Sequence, residues 1–218
     1  DSVIGAGQEA AAVTNSLDAA LLARLATTIE QATAAFEAYD YARALNVTEQ
    51  FFWQFTDDYV ELVKDRAYGG HGEAEQASVV TTLATTLDAL LRLLAPFQPF
   101  ATEEVWSWWR AGSVHLAAWP SADTLAGMAG TADAEVLAVV AEALSGVRKA
   151  KSEAKVKQRT EVRSATVTAP AEALERLRGG LADLKAAGNI AELDLVEGVP
   201  SDDQRLAVSD VQLAPAED

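Results

Sequence analysis

The aromatic residues divide this sequence into two parts. All fifteen Phe, Trp and Tyr residues lie between Phe36 and Trp119, and none occurs in the last 99 residues. Large aromatic side chains dominate the cores of small helical domains. One part of the chain can therefore have an aromatic core, whereas the other must be built from aliphatic side chains. This division predicts two modules joined by a Gly/Ala/Thr-rich linker over residues 121–132.

Helical periodicity runs through the first module, which we place at residues 16–120 after a lead-in of residues 1–15. Asn15 is expected to cap the first helix and Asp40 the second, and Pro96 is expected to end the third. The sequence does not open with Met, which suggests that the lead-in is truncated. Helices joined by short loops pack as antiparallel neighbours, so we predict an antiparallel helical bundle.

The second module, residues 133–218, mixes helical and strand periods. The pattern predicts a long helix from about Asp133, whose inward face comprises Val136, Val140, Ala143 and Val147. It then predicts a strand, a short helix, a second strand and a less regular third strand, over 161–168, 170–188, 190–196 and 206–213. The predicted fold class is therefore mainly α: a helical bundle followed by a small α/β module with two or three strands.

The charge distribution is more informative than the formal net charge of −16. Seven basic residues oppose only Glu153 and Glu161 between residues 148 and 163, a local charge of +5. We call these seven the basic strip: Arg148, Lys149, Lys151, Lys155, Lys157, Arg159 and Arg163. Spacings of three and four are expected to place Arg148, Lys151, Lys155 and Arg159 on one helical face. Such a row can contact phosphates, although cations also favour a helix carboxyl end without any ligand.

The other candidate sites favour structural roles. A short helix opened by Thr102 is expected to contain Trp106, Trp108 and Trp109, mostly as packing residues, with at least one at the surface. His71 and His115 have no partner at metal-ligand spacing. Adjacent acids on a helix point in different directions, so they do not form an acid/base pair. We therefore predict no catalytic residue, no metal site and no cofactor in this chain, which favours a binding module.

Composition indicates the kind of cellular compartment in which the chain is expected to work. The chain has no cysteine, which excludes disulfides and thiol catalysis and fits a reducing cytoplasm. Half of the residues are hydrophobic, as expected for a folded globular protein. No apolar run of membrane-spanning length is free of charged residues, so we expect no membrane partner.

Several motifs resemble one enzyme family. Residues 44–64 include Phe-Phe-Trp and Asp-Asp-Tyr on a helix, and residues 94–106 have the pattern L-x-P-x-x-P-F-x-T-E-E-x-W. Residues 112–115 read Gly-Ser-Val-His and residues 118–120 read Ala-Trp-Pro, followed by Val-Arg-Lys-Ala-Lys-Ser-Glu at 147–153. In this order the motifs resemble the C-terminal anticodon-binding region of the valyl-tRNA synthetases, which are class I aminoacyl-tRNA synthetases. The resemblance covers roughly residues 17–197.

The resemblance implies a function. The bundle would be the anticodon-binding domain, and the basic module would lie against the tRNA, most simply the valine acceptor, with no role for DNA. The parent enzyme would be a cytoplasmic valine-tRNA ligase that uses ATP in a catalytic domain outside this chain. The family's His-x-Gly-His and Lys-Met-Ser-Lys-Ser signatures are missing here, so this chain alone is expected to be inactive.

Three alternatives stay open at the level of sequence. The same region of an isoleucyl- or leucyl-tRNA synthetase would change the amino acid but not the architecture. A helical protein–protein interaction module could use the basic strip to dock an acidic partner. A stand-alone protein derived from a synthetase could serve another role.

Overall fold

The computed structural model describes residues 11–200 and 204–215. The chain forms two compact units. The first contains the described residues up to Asp57 together with Arg66–Ala134, and the second contains Asp58–Asp65 together with the described residues from Glu135 onward. The architecture confirms the predicted fold class, a helical bundle followed by a small α/β module. Most of the lead-in predicted for residues 1–15 lies outside the described residues.

The helices up to residue 129 follow in chain order: α1 Ser16–Glu37, α2 Tyr41–Trp53, α3 Val60–Ala67, α4 Glu73–Leu94, α5 Pro99–Ser107 and α6 Ala122–Ala129. They form the bundle, except that the Val60–Asp65 part of α3 belongs to the second unit. Helix α1 begins as predicted, because the Asn15 side chain accepts a hydrogen bond from the Leu17 N–H at 2.9 Å. The apolar residues of α1 that recur at helical spacing are buried from Leu17 to Ala32. By length and composition alone α4 could cross a membrane, but more than half of its apolar window is buried, as in a core helix of a globular unit.

The second predicted helix is interrupted. Residues Gln54–Tyr59, between α2 and α3, form a π-helical segment. Phe55 and Tyr59 within it are both buried, so the wider turn keeps the aromatic face directed inward. No residue type specifies a π-helical turn, and a periodicity argument therefore sees one continuous helix.

Two boundaries differ from the sequence-based expectation. Helix α5 begins at Pro99 rather than at Thr102, because proline suits the first helical turn, where its missing N–H would have no partner. The linker predicted for 121–132 instead contains α6, whose Leu125 and Ala129 are buried. The hydroxyl of Ser121 caps this helix by accepting from the Thr124 N–H at 3.3 Å. Its small side chains make too weak a stripe to be recognised in the sequence.

The second unit contains a three-stranded mixed sheet of order β2-β1-β3. Its elements are α7 Glu135–Glu153, β1 Val162–Ala169, α8 Ala171–Arg178, α9 Leu181–Gly188, β2 Ile190–Glu197 and β3 Ala207–Leu213. Strand β1 is parallel to β2, with Val167 opposite Leu195, and antiparallel to β3, with Val167 opposite Val208. The single helix predicted over 170–188 is divided in two by Gly179 and Gly180.

Helix α7 supplies the core of this unit. The four side chains predicted to face inward, Val136, Val140, Ala143 and Val147, are all buried. Gly146 lies beside strand β3, where a Cβ would stand 2.5 Å from Cγ2 of Val208. A glycine at this position lets the helix and the strand approach closely.

The three neighbouring tryptophans have different environments. Trp106 is buried, Trp109 is half-buried, and Trp108 has 69% of its surface exposed. The guanidinium of Arg110 lies 4.5 Å from the centre of the Trp109 ring. The prediction that at least one of these rings reaches the surface is confirmed.

Candidate nucleic-acid interface

The basic strip begins on α7 and continues into a loop. Helix α7 ends at Glu153, so the prediction that Lys155 and Arg159 share a helical face with Arg148 is wrong. The last turn closes with two backbone hydrogen bonds, from Val156 N–H to Lys151 O at 3.1 Å and from Lys155 N–H to Ser152 O at 3.0 Å. This pairing is a Schellman motif, which normally ends a helix at a glycine.

Lys155 occupies the position of that glycine. Its φ angle of 56° lies in the left-handed region, where an L-residue with a Cβ is disfavoured by about 1–2 kcal/mol. The sequence contains no glycine here to mark the helix end. Because the basic residues continue at helical spacing, the sequence-based prediction placed the end of this helix beyond Glu153.

Lys151 is not part of the exposed surface. Its side chain is 1% exposed, and its ammonium group donates to Gln158 O at 2.8 Å and to Gly188 O at 2.7 Å. Burial of the ammonium, and next the neighbouring Arg148 charge, lower the pKa of Lys151 below its usual value of 10.5. Both carbonyls belong to the protein, so this side chain holds the loop after α7 and is not available to a phosphate.

Three cations of the strip surround one open cavity. Lys155, Lys157 and Arg159 are exposed and line a cavity of about 420 Å³. Thr160, Glu161 and Asn189 are also in its wall, together with Val156, Ala214 and Pro215. Within 11–200 and 204–215, no carboxylate lies within 4 Å of the three cationic groups.

The other three members of the strip lie outside this cavity. Arg148 is half-buried, and its guanidinium lies 3.7 Å from the Glu61 carboxylate. Lys149 is exposed and lies 4.0 Å from Glu153, one helical turn away. Arg163 is exposed on β1. The structure thus brings together three of the seven predicted residues.

Two residues of the site were missed by sequence reasoning. Asn189 has a left-handed φ of 49° after α9, and its side-chain amide donates to Arg159 O at 2.9 Å. Gln158 supplies the carbonyl that Lys151 binds. The Asn–Ile junction before a predicted strand could have suggested the turn, but nothing in the sequence places it beside Arg159.

Outside the basic strip, the histidine and acidic residues that the structure describes form no metal site. His115 Nε2 lies 3.2 Å from the Pro99 carbonyl oxygen and 4.0 Å from the Glu103 carboxylate. In the part of the chain that the structure describes, no group of three or more His, Cys, Asp or Glu side chains could hold a metal ion.

Comparison with known proteins identifies the family to which the chain belongs. The model of the anticodon-binding domain of tRNA ligases matches residues 18–167. The chain belongs to this family. The matched range includes the whole bundle from Asp18 onward, α7 and the complete basic strip, and it ends within β1.

Relatives of this chain include valine–tRNA ligases. It is 50% identical over 207 residues to the protein of Thermobifida fusca (strain YX), an alignment covering 95% of this chain and 23% of the relative. It is 48% identical over 212 residues to the protein of Leifsonia xyli subsp. xyli, covering 97% of this chain and 24% of the relative. The chain therefore spans about a quarter of the length of the relatives it matches.

Proposed function

We propose that this chain is the tRNA-binding part of a cytoplasmic valine–tRNA ligase. The observation that carries the proposal is the similarity to valine–tRNA ligases, which extends over 95–97% of the chain and so includes both units. An isoleucyl or leucyl identity has no comparable support among these relatives. The attachment of valine, with ATP, would be performed by a catalytic domain, and this sequence contains neither of the two catalytic signatures of class I synthetases.

The two units would divide the work of recognition. The bundle belongs to a family named for anticodon binding, so we assign base contacts to the first unit. The second unit would hold the sugar-phosphate backbone through Lys149, Lys155, Lys157, Arg159 and Arg163, all of which are exposed. Beyond Trp119 the chain has no aromatic side chain that could stack on a base. Contacts by these cations would therefore position the RNA without reading its sequence.

The negative net charge restricts where on the chain RNA can bind. At −16 the chain as a whole repels a polyanion, so binding must occur where positive charge is concentrated. Association should weaken steeply with salt, because each neutralised phosphate releases counterions.

Competition binding tests the proposal. The 218-residue chain would be titrated with labelled valine tRNA at two salt concentrations, with isoleucine tRNA and an unrelated RNA duplex as competitors. We expect a preference for valine tRNA and a strong salt dependence. Equal competition by all three RNAs would contradict valine specificity, and absence of binding at low salt would contradict tRNA binding itself. In a valine-dependent pyrophosphate exchange assay, the chain alone should be inactive.

A further inference from the structure

We propose that the cavity lined by Lys155, Lys157 and Arg159 binds a phosphate of the RNA backbone, and that Lys151 and Asn189 are positioning residues that build it. This inference rests on the proposed function, and it assigns the contact to one place among the seven basic residues. It also separates residues that would touch the RNA from residues that would hold the contacting loop.

The wall of the cavity is suited to an anion. Three cationic side chains come from five consecutive positions, and Thr160 also lines the cavity. Among the described residues that line the cavity, Glu161 is the one acid, which leaves a local charge of +2 for these residues. A phosphodiester accepts hydrogen bonds through its free oxygens and carries one negative charge, so it matches a site of lysine and arginine donors.

The backbone of Lys155 is the second observation. A glycine at this left-handed position would end α7 without the steric cost of a Cβ. Strained backbone conformations cluster at functional sites, where the side chain is needed for another reason. Here the residue whose Cβ makes the left-handed position costly also lines the cationic cavity.

The loop is held on its inner side by two side chains. Lys151 joins the carbonyl of Gln158 to that of Gly188, with N···O distances of 2.8 and 2.7 Å. Asn189 donates to the carbonyl of Arg159 at 2.9 Å. These bonds fix the backbone between Lys157 and Thr160 against the end of α9. Fixing a loop before binding reduces the entropy lost on association, so both residues should raise RNA affinity without touching RNA.

Contact and positioning have different effects on salt dependence. Removing a phosphate contact lowers the slope of log affinity against log salt by roughly 0.7–0.9. Loosening the loop should lower affinity at every salt concentration while the slope stays the same, because the same charges still reach the phosphate. Affinity and slope, measured together, therefore assign each residue to one class.

The contact residues would be tested singly as K155G, K157A and R159A in the full chain with valine tRNA. Each is expected to lower both affinity and slope. The matched control is R178A, which removes a cation from the same unit whose guanidinium is paired with Glu175. It should leave both unchanged. Equal effects of the control and the three cavity variants would overturn the inference, because the binding would then follow net charge alone.

The positioning residues would be tested as N189G and K151M. N189G keeps a residue that tolerates the left-handed φ and changes no charge, so a severalfold loss of affinity with an unchanged slope would support the inference. K151M should show the same pattern. In the background of K155G/K157A/R159A, both substitutions should have no further effect, since the loop they hold no longer binds. Unchanged affinity for N189G, or effects that add to the triple variant, would overturn the positioning role.

The wild-type titration distinguishes a failure of the cavity assignment from a failure of the proposed function. If the wild-type chain binds tRNA and the cavity variants bind equally well, this inference fails and the proposed function stands. If the wild-type chain does not bind tRNA at low salt, the proposed function and the cavity inference are both wrong.

Discussion

The carboxylate of Asp18 and the guanidinium of Arg66 form a bidentate ion pair in the interior of the first unit. Both N···O distances are 2.7 Å, and both side chains are completely buried. The Ser78 hydroxyl also donates to Asp18 at 2.6 Å, so the pair connects α1, α3 and α4. A buried charge without its partner is costly, whereas a fully satisfied pair can be nearly neutral. The pair therefore specifies how these helices meet more than it stabilises them.

Replacing Arg66 with methionine should destabilise the first unit by about 3–5 kcal/mol, because it removes the guanidinium that pairs with the buried Asp18 carboxylate. Urea unfolding followed by tryptophan fluorescence measures this unit specifically, since all five tryptophans belong to it. Arg110 provides the control in the same unit: its guanidinium lies 2.9 Å from the Asp88 carboxylate, but its side chain is 47% exposed. An R110M variant with a loss as large as that of R66M would contradict the role of burial.

Replacing Gly146 with alanine should destabilise the second unit by about 1–3 kcal/mol, the usual range for overpacking. The new Cβ would stand 2.5 Å from Cγ2 and 3.0 Å from Cβ of Val208, which is a stiff, branched side chain. Hydrogen exchange of the β3 amides measures the loss. The control is G127A in α6, where nothing lies within 4 Å and alanine should instead improve helix stability.

Replacing Lys155 with glycine should stabilise the second unit by about 1 kcal/mol, because it removes the cost of an L-residue in the left-handed region. Hydrogen exchange of the amides in the last turn of α7 measures this gain. The same variant is expected to bind RNA more weakly. A variant that is both less stable and weaker in binding would show that Lys155 supports the fold and not the ligand.

Stability should depend on pH through Lys151. Its pKa is lowered in the folded state, so between that lowered value and 10.5 the unfolded chain binds more protons than the folded chain. The free energy of unfolding therefore rises with pH across this window. Denaturation of wild type and K151M across alkaline pH measures the contribution as the difference between the two curves. A difference that stays constant with pH, or that falls as pH rises, would contradict the assignment.

The helices and strands were largely predictable because their signals are local. The Asn15 cap, the helical periodicity of the bundle and the inward face of α7 each depend on residues within a few turns of one another. The π-helical segment Gln54–Tyr59 and helix α6 were missed for the same reason: neither has a distinctive residue pattern. Family membership could likewise be predicted, because it depends on short motifs such as that of residues 94–106.

Lys151 shows what local patterns could not decide. It lies three residues after Arg148, on the expected basic face, and also four residues after Val147, on the apolar stripe of α7. The sequence supports both faces equally. Only the folded chain resolves the choice, because the carbonyls of Gln158 and Gly188, seven and 37 residues away, converge on the lysine and satisfy its charge.

The sequence by itself determined the helical bundle, the α/β module, the family and the concentration of positive charge near residue 150. The tertiary structure decided which of those charges are exposed, which one is buried, and which three line a single cavity. The physical reason is that secondary structure and composition follow from neighbours along the chain, whereas the solvation of a charge depends on groups that only folding brings beside it.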